Sequence, residues 1–135
     1  MLPPFVFGLL LLGGGAPHHR AMTRLTIRID FDDGSGLGPG KVKLLEQVAE
    51  TGSIRKAAAA MDMSYRQAWL LLKEADETFG KPLLATSQGG RQGGGAALSE
   101  VGRKVIAEYR AIEAAAHKAV AKRLTNLQKR ANSKA

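Results

Sequence analysis

Hydrophobic and polar positions follow two different periods along this chain, and the switch between them outlines its elements. In LTIRIDF, Leu25, Ile27, Ile29 and Phe31 alternate with Thr26, Arg28 and Asp30, the period of two of a half-buried strand. DDGSGLGPG follows as a loop. The period then becomes helical, and Lys41 to about Thr51 predicts a first helix with Val42, Leu45 and Val48 turned to the core. Gly52 can take the left-handed conformation that stops this helix, and Ser53 beside it can accept the orphan amide protons of the next. From Ile54 to Met61, IRKAAAAM is rich in helix formers, and its alanines let a neighbouring helix come close. Asp62 and Met63 form a turn. Ser64 is a second N-cap, and Gln67 stands at the spacing of a capping box, in which two orphan amides are satisfied reciprocally. A third helix therefore starts at Tyr65, with Ala68, Leu72, Ala75 and Phe79 as its buried stripe; Gly80 ends it and Pro82 prevents its continuation.

Beyond that helix, Leu83 to Thr86 and Ala96 to Leu98 suit short strands around SQGGRQGGG, a run too rich in glycine for a helix but suited to a hairpin loop. Leu98 and Ser99 then supply a hydrophobic residue and an N-cap for a long helix from Glu100 to about Leu127. Its apolar stripe of Val105, Tyr109, Ile112, Ala116, Ala119, Leu124 and Leu127 is longer than a small domain covers with its own helices, which makes it a dimerisation candidate. The predicted fold is mainly α with a small β wing: a winged helix-turn-helix with a long carboxy-terminal dimerisation helix.

That order makes duplex DNA the leading candidate partner. Ser64, Tyr65, Arg66, Trp69 and Lys73 lie on or near the side of the third helix that the core does not claim, weighted to its N-terminus, where a recognition helix meets base edges. Arg66 can donate two hydrogen bonds to a guanine, and Gln67 can do the same with an adenine if its side chain is not used in the cap. The competing reading is a solvated polar face. Tyr65 and Trp69, four apart, can stack on one another; core or subunit packing is the preferred reading of Trp69, while Tyr65 stays open. Arg91 at the loop tip, with bare amides around it, suits a phosphate backbone or a minor groove. A nucleotide-phosphate cradle fits less well, because the loop lacks a Gly-Lys-Ser/Thr ending and leads into a strand.

Composition narrows the picture without redirecting it. With 135 residues, 44% hydrophobic and 5% aromatic, the chain can bury one mostly aliphatic core. It has no cysteine, so disulfides and cysteine-based zinc sites are excluded, which suits the cytoplasm. The formal net charge is +8, but it is unevenly placed: residues 21–98 hold ten Lys/Arg against nine Asp/Glu, and residues 99–135 hold nine against three. Lys118, Lys122, Arg123, Lys129, Arg130 and Lys134 suit salt-sensitive, sequence-independent attraction to DNA; a basic, frayed terminus without function is the alternative.

The residues resemble a known family. Thr51-Gly52-Ser53-Ile54 opening the second helix, Ser64-Tyr65-Arg66-Gln67-Ala68-Trp69 opening the third and Gly89-Gly90-Arg91-Gln92-Gly93-Gly94-Gly95-Ala96 in the wing are similar to the amino-terminal DNA-binding domain of the ModE family of molybdate-responsive transcriptional regulators, and more distantly to LysR-type regulators. The resemblance runs from about Leu25 to about Val120. It implies a dimeric winged helix whose third helix enters the major groove, with Ser53, Ser64, Tyr65, Arg66, Gln67, Lys73, Arg91, Gln92 and Gly93 as the candidate DNA-contacting set. Full-length members also carry a carboxy-terminal oxyanion-binding region. This sequence ends at Ala135, soon after the wing and one long helix, so no molybdate pocket is carried over.

Residues 1–21 read as a disordered or mis-assigned leader: PPFVFGLLLLGGGAP has an apolar run of signal-peptide length, but no positive residue precedes it and it is too short to span a bilayer. Met22 is the expected start. Residues 22–127 form the winged helix-turn-helix and its last helix, and 128–135 a basic tail. His18, His19 and His117 make no catalytic constellation or closed metal site, so neither an enzyme nor a cofactor is expected. The sequence thus predicts a cytoplasmic, homodimeric DNA-binding transcriptional regulator reading an inverted repeat, with no membrane partner and no specified effector. The alternative is a protein-interaction module of the same fold that does not read DNA.

Overall fold

The computed structural model describes residues 23–87 and 95–133. Two units separate along the chain: residues 26–119, and a second that among the described residues holds 23–25 and 120–133.

In the larger unit, β1 (Ile29–Asp30) pairs antiparallel with β2 (Gly36–Leu37), joined by a turn in which Phe31 accepts from the Gly34 amide and Asp33 accepts from the amide and hydroxyl of Ser35. These bonds hold the Asp33 carboxyl below its ordinary range. The alternation read from LTIRIDF holds in burial, with Leu25, Ile27, Ile29 and Phe31 half-buried between exposed neighbours. The strand itself is shorter than expected, because only two residues find a ladder partner. That partner lies within DDGSGLGPG, so the segment expected to be a loop supplies a strand and the start of a helix.

Helix α1 (Pro39–Thr51) begins two residues before the expected Lys41, with Pro39 in the first turn where a missing amide proton costs nothing. Val42, Leu44, Leu45 and Val48 are fully buried. Gly52 closes the helix in the left-handed region at φ 72°, its amide donating to the Val48 carbonyl at 2.8 Å. Ser53 then caps α2 (Ile54–Ala60), its hydroxyl oxygen accepting from the Lys56 amide at 3.1 Å. Ala57 and Ala58 are buried, and their small side chains allow the close helix contact that the alanine run predicted. The turn after α2 is a Schellman motif: Asp62 takes φ 59°, its amide donates to Ala59 and the Met63 amide donates to Ala58.

Helix α3 (Tyr65–Phe79) starts and stops where the sequence placed it, capped by Ser64 and ended by Gly80 at φ 67°. Ala68, Leu72 and Ala75 are buried, and Phe79 meets Phe31 edge-on at 5.6 Å. The wing hairpin, β3 (Leu84–Ser87) with β4 (Gly95–Leu98), runs in register from Leu84↔Leu98 to Ser87↔Gly95. Its base is fixed on three sides. The Leu83 amide donates to the Asp76 carboxylate, the Ala96 amide donates to the Gly52 carbonyl, and the Ser99 amide donates to the Leu83 carbonyl.

Helix α4 (Glu100–Asn132) runs past the expected Leu127. Ser99 caps it by accepting from Gly102, and Gly102 lets the helix approach the wing so closely that a Cβ there would stand 2.2 Å from the Leu83 carbonyl oxygen. Leu83 joins the main core with Leu44, Leu45, Val48, Ala57 and Ala68. Tyr109 closes a second cluster with Leu37 and Val42, and its hydroxyl donates to the Ile27 carbonyl at 2.7 Å. Beside it Arg110 forks onto Glu46 at 2.6 and 3.1 Å and also reaches Glu113, tying α4 to α1. In the smaller unit, Thr23 Oγ1 hydrogen-bonds Gln128 Oε1. Of the α4 stripe, Val105 and Tyr109 enter the core, whereas Ile112 remains 45% exposed and Leu127 63% exposed. The leader expected at 1–21 lies outside the described residues, as do Gln88 to Gly94.

Candidate nucleic-acid interface

The two caps and the Schellman turn set the angle at which α3 leaves α2, and the buried stripe of α3 leaves its other side to solvent. Ser64, Tyr65, Arg66, Gln67, Trp69 and Lys73 are all exposed. Positions 66, 69 and 73 follow the three-to-four spacing of one helix face. Ser64 uses its oxygen as cap acceptor for the Gln67 amide at 3.0 Å, which leaves its hydroxyl proton for an outside acceptor. The reciprocal half of the capping box does not form: the Gln67 carboxamide makes no hydrogen bond among the described residues and is left with both donors and its acceptor. Ser53 sits half-buried behind this face, its oxygen taken by the Lys56 amide.

Arg66 has no hydrogen bond or ion pair among the described residues, and the same is true of the ion-pair capacity of Arg55, Lys56 and Lys73. The near-neutral charge of this region therefore hides a local separation. Carboxylates pair elsewhere, as Glu46 and Glu113 do with Arg110 and Glu74 does with Lys41 at 3.6 Å, while the cations of α2 and α3 have no acidic partner among the described residues.

The aromatic pair departs from the stacked and core-packed expectations. Tyr65 and Trp69 do not stack on one another, and Trp69, expected in the core or at a subunit contact, is 45% exposed in the chain. Each ring carries a cation instead: the Arg55 guanidinium lies 4.9 Å above Tyr65, and the Lys73 ammonium 5.7 Å from Trp69. Arg55 is the residue that sequence reasoning missed. It pairs with Tyr65 across ten positions and an intervening turn, and no helical or strand period reports that separation.

A shallow groove of about 350 Å³ opens beside this face, lined by Ser53, Arg55, Tyr65 and Thr86 with the start of β4. Arg91, Gln92 and Gly93, the expected wing contacts, lie outside the described residues. Among the described residues no group of three or more His, Asp or Glu side chains could hold a metal, and no helix is long and apolar enough to cross a membrane.

A capped helix-turn-helix with an unpaired basic face and a hairpin anchored beside it defines the winged helix-turn-helix class. Residues 40–103 match the family described as bacterial regulatory helix-turn-helix protein, lysR family. The chain is 37% identical over 94 residues to the molybdenum transport protein ModE of Azotobacter vinelandii, covering 70% of this chain and 34% of that protein. It is 38% identical over 99 residues to the molybdenum-pterin-binding protein MopB of Rhodobacter capsulatus, covering 73% and 35%. With the transcriptional regulator ModE of Haemophilus influenzae the figures are 31% over 91 residues, covering 67% and 36%. Residues 40–103 thus match a LysR-type helix-turn-helix domain, and the relatives named ModE and MopB are consistent with an amino-terminal ModE-like domain. The chain spans about a third of the length of the curated relatives it matches.

Proposed function

We propose that this chain is a sequence-specific, DNA-binding transcriptional regulator that works as a homodimer on an inverted repeat. The observation that carries the reading is Arg66: a guanidinium on the exposed side of α3, without an acidic partner among the described residues, next to a carboxamide that the cap leaves unused. Arg66 reads a guanine and Gln67 an adenine in the major groove, with Ser64 and Lys73 on flanking groups. Arg91, Gln92, Gly93 and the other wing glycines take the adjacent backbone or minor groove. The stripe of α4 beyond Tyr109, with Ile112 and Leu127 exposed, suits pairing with a second copy. In such a dimer the two recognition helices stand roughly 34 Å apart. Relatives named for molybdenum transport and molybdenum-pterin binding support a place in molybdenum metabolism, with the sensing of any effector left to other parts of the system.

Selection of bound fragments from random duplex DNA at a fixed salt concentration, with and without molybdate, tests the reading. Enrichment of a two-fold symmetric motif is the expected result. Failure to enrich any motif favours the protein-interaction module, and a motif enriched only with molybdate would show that this chain senses the anion itself.

A further inference from the structure

We infer that the groove beside the reading helix seats a backbone phosphate, with Arg55 as its ligand and Tyr65 as the residue that positions Arg55. The inference rests on the proposed reading of DNA and assigns Tyr65 a role other than base contact.

Among the described residues the groove holds one formal charge, that of Arg55, and no carboxylate lines it. Three of its lining residues, Ser53, Tyr65 and Thr86, carry hydroxyls, beside the apolar Ile54 and Ala96 and the small Gly95. The Ser53 oxygen accepts from the Lys56 amide, and its proton remains available to an outside acceptor. The groove thus combines one cation with hydroxyl-bearing residues and no carboxylate, a lining that suits an oxyanion. The way Arg55 is held points in the same direction. A guanidinium fixed by a carboxylate has N–H donors occupied by it, whereas Arg55, its Cζ 4.9 Å from the Tyr65 ring centroid, has no carboxylate partner among the described residues. Tyr65 thus holds Arg55 without an acidic partner, which leaves N–H donors for a bidentate acceptor, and a phosphate presents one. Position completes the argument. The lining comes from the starts of α2 and α3 and from both wing strands, so an anion there touches the reading helix and the wing together. An open groove with a single cation holds a free anion weakly, while a phosphodiester already docked by α3 arrives at high effective concentration.

Binding of a fluorescein-labelled duplex from the selection, and of a scrambled duplex, is to be followed over a salt series. Arg55→Gln, at an exposed position, is expected to weaken both duplexes by a similar factor and to lower the salt slope by about one. Tyr65→Phe keeps the ring and should retain affinity, slope and sequence preference. Tyr65→Leu should lose affinity on both duplexes alike, and combining it with Arg55→Gln should add little. An unchanged slope in Arg55→Gln overturns the inference, as does relaxed sequence preference in Tyr65→Phe, which would make Tyr65 a base reader. Calorimetric titration with inorganic phosphate separates the two sources of the anion: saturable binding lost in Arg55→Gln, with the DNA slope unaltered, would give the groove to a free anion. If the unaltered chain binds neither duplex, the DNA reading itself fails and takes this inference with it; if it binds and the variants match it, only the phosphate seat falls.

Discussion

Arg66 and Tyr65 are neighbours in the chain with opposite chemical situations. Arg66 has no partner among the described residues, while Tyr65 has its ring face under a guanidinium. In the proposed role this divides labour between base readout and backbone positioning. Replacing Arg66 with alanine is expected to cost roughly 1–3 kcal/mol at the selected site and to relax preference at one base pair, since a bidentate contact is lost; competition binding against single-base variants of the site measures both. The serine caps, the glycine stops and the exposure of Arg66 were legible in the sequence because each depends on its local neighbours. Arg55 was not, because its partner is defined by the angle between two helices. For Trp69 the core half of the expectation does not hold, because α3 fills its core side with Ala68, Leu72 and Ala75 and Trp69 stands outside that stripe; a subunit contact stays open.

Among the elements, the wing depends on packing more than on its own four-residue strands. It is held to Gly52, Asp76 and the first turn of α4, and Gly102 is the point of closest approach. Gly102→Ala would force a Cβ against the Leu83 carbonyl, backbone that cannot rotate away, so the variant is expected to lose roughly 1–3 kcal/mol in a denaturant melt. At Gly52 the reason is conformational: with φ 72° an alanine costs about 1–2 kcal/mol, which the same melt would register. The first strand shows where element-level reading stops. A period of two specified which side chains face inward, and burial agrees, but the length of a ladder depends on a partner, here the short Gly36–Leu37 segment hidden in a glycine-rich run. The ends of α2 and α3 and the start of α4 were legible nearly to the residue because they carry caps of their own, whereas α4 runs on to Asn132, past the expected Leu127. The early start of α1 at Pro39 went unread because Gly38 offers no capping side chain.

Across the described residues, the best-buried charges serve the fold and lie away from the reading face. The most buried ion pair among the described residues is the Arg110 fork onto Glu46, whose side chain is 10% exposed. Removing that partner by Arg110→Ala leaves a carboxylate with little access to water and is expected to destabilise by roughly 1–3 kcal/mol. Tyr109 gives the fold a pH signature. Burial, with Glu113 adding to it and Arg110 opposing, raises its phenol above the ordinary tyrosine value of 10.0. The folded state then holds its proton longer than the unfolded state, so the contribution is fully present below pH 10 and is lost as pH rises towards the folded value. Urea melts from neutral pH to above pH 10 should show stability falling at the alkaline end, and Tyr109→Phe should flatten that fall while losing about 1 kcal/mol at neutral pH for the unpaired Ile27 carbonyl.

The central claim is that α3 reads DNA through Arg66. Its most direct test is the affinity of the unaltered chain and of Arg66→Ala for the selected duplex and for a scrambled duplex at one salt concentration. The account predicts that the unaltered chain prefers the selected duplex and that Arg66→Ala loses most of that preference while retaining its weaker binding to the scrambled one. Equal preference in the two proteins, or none in either, would contradict it.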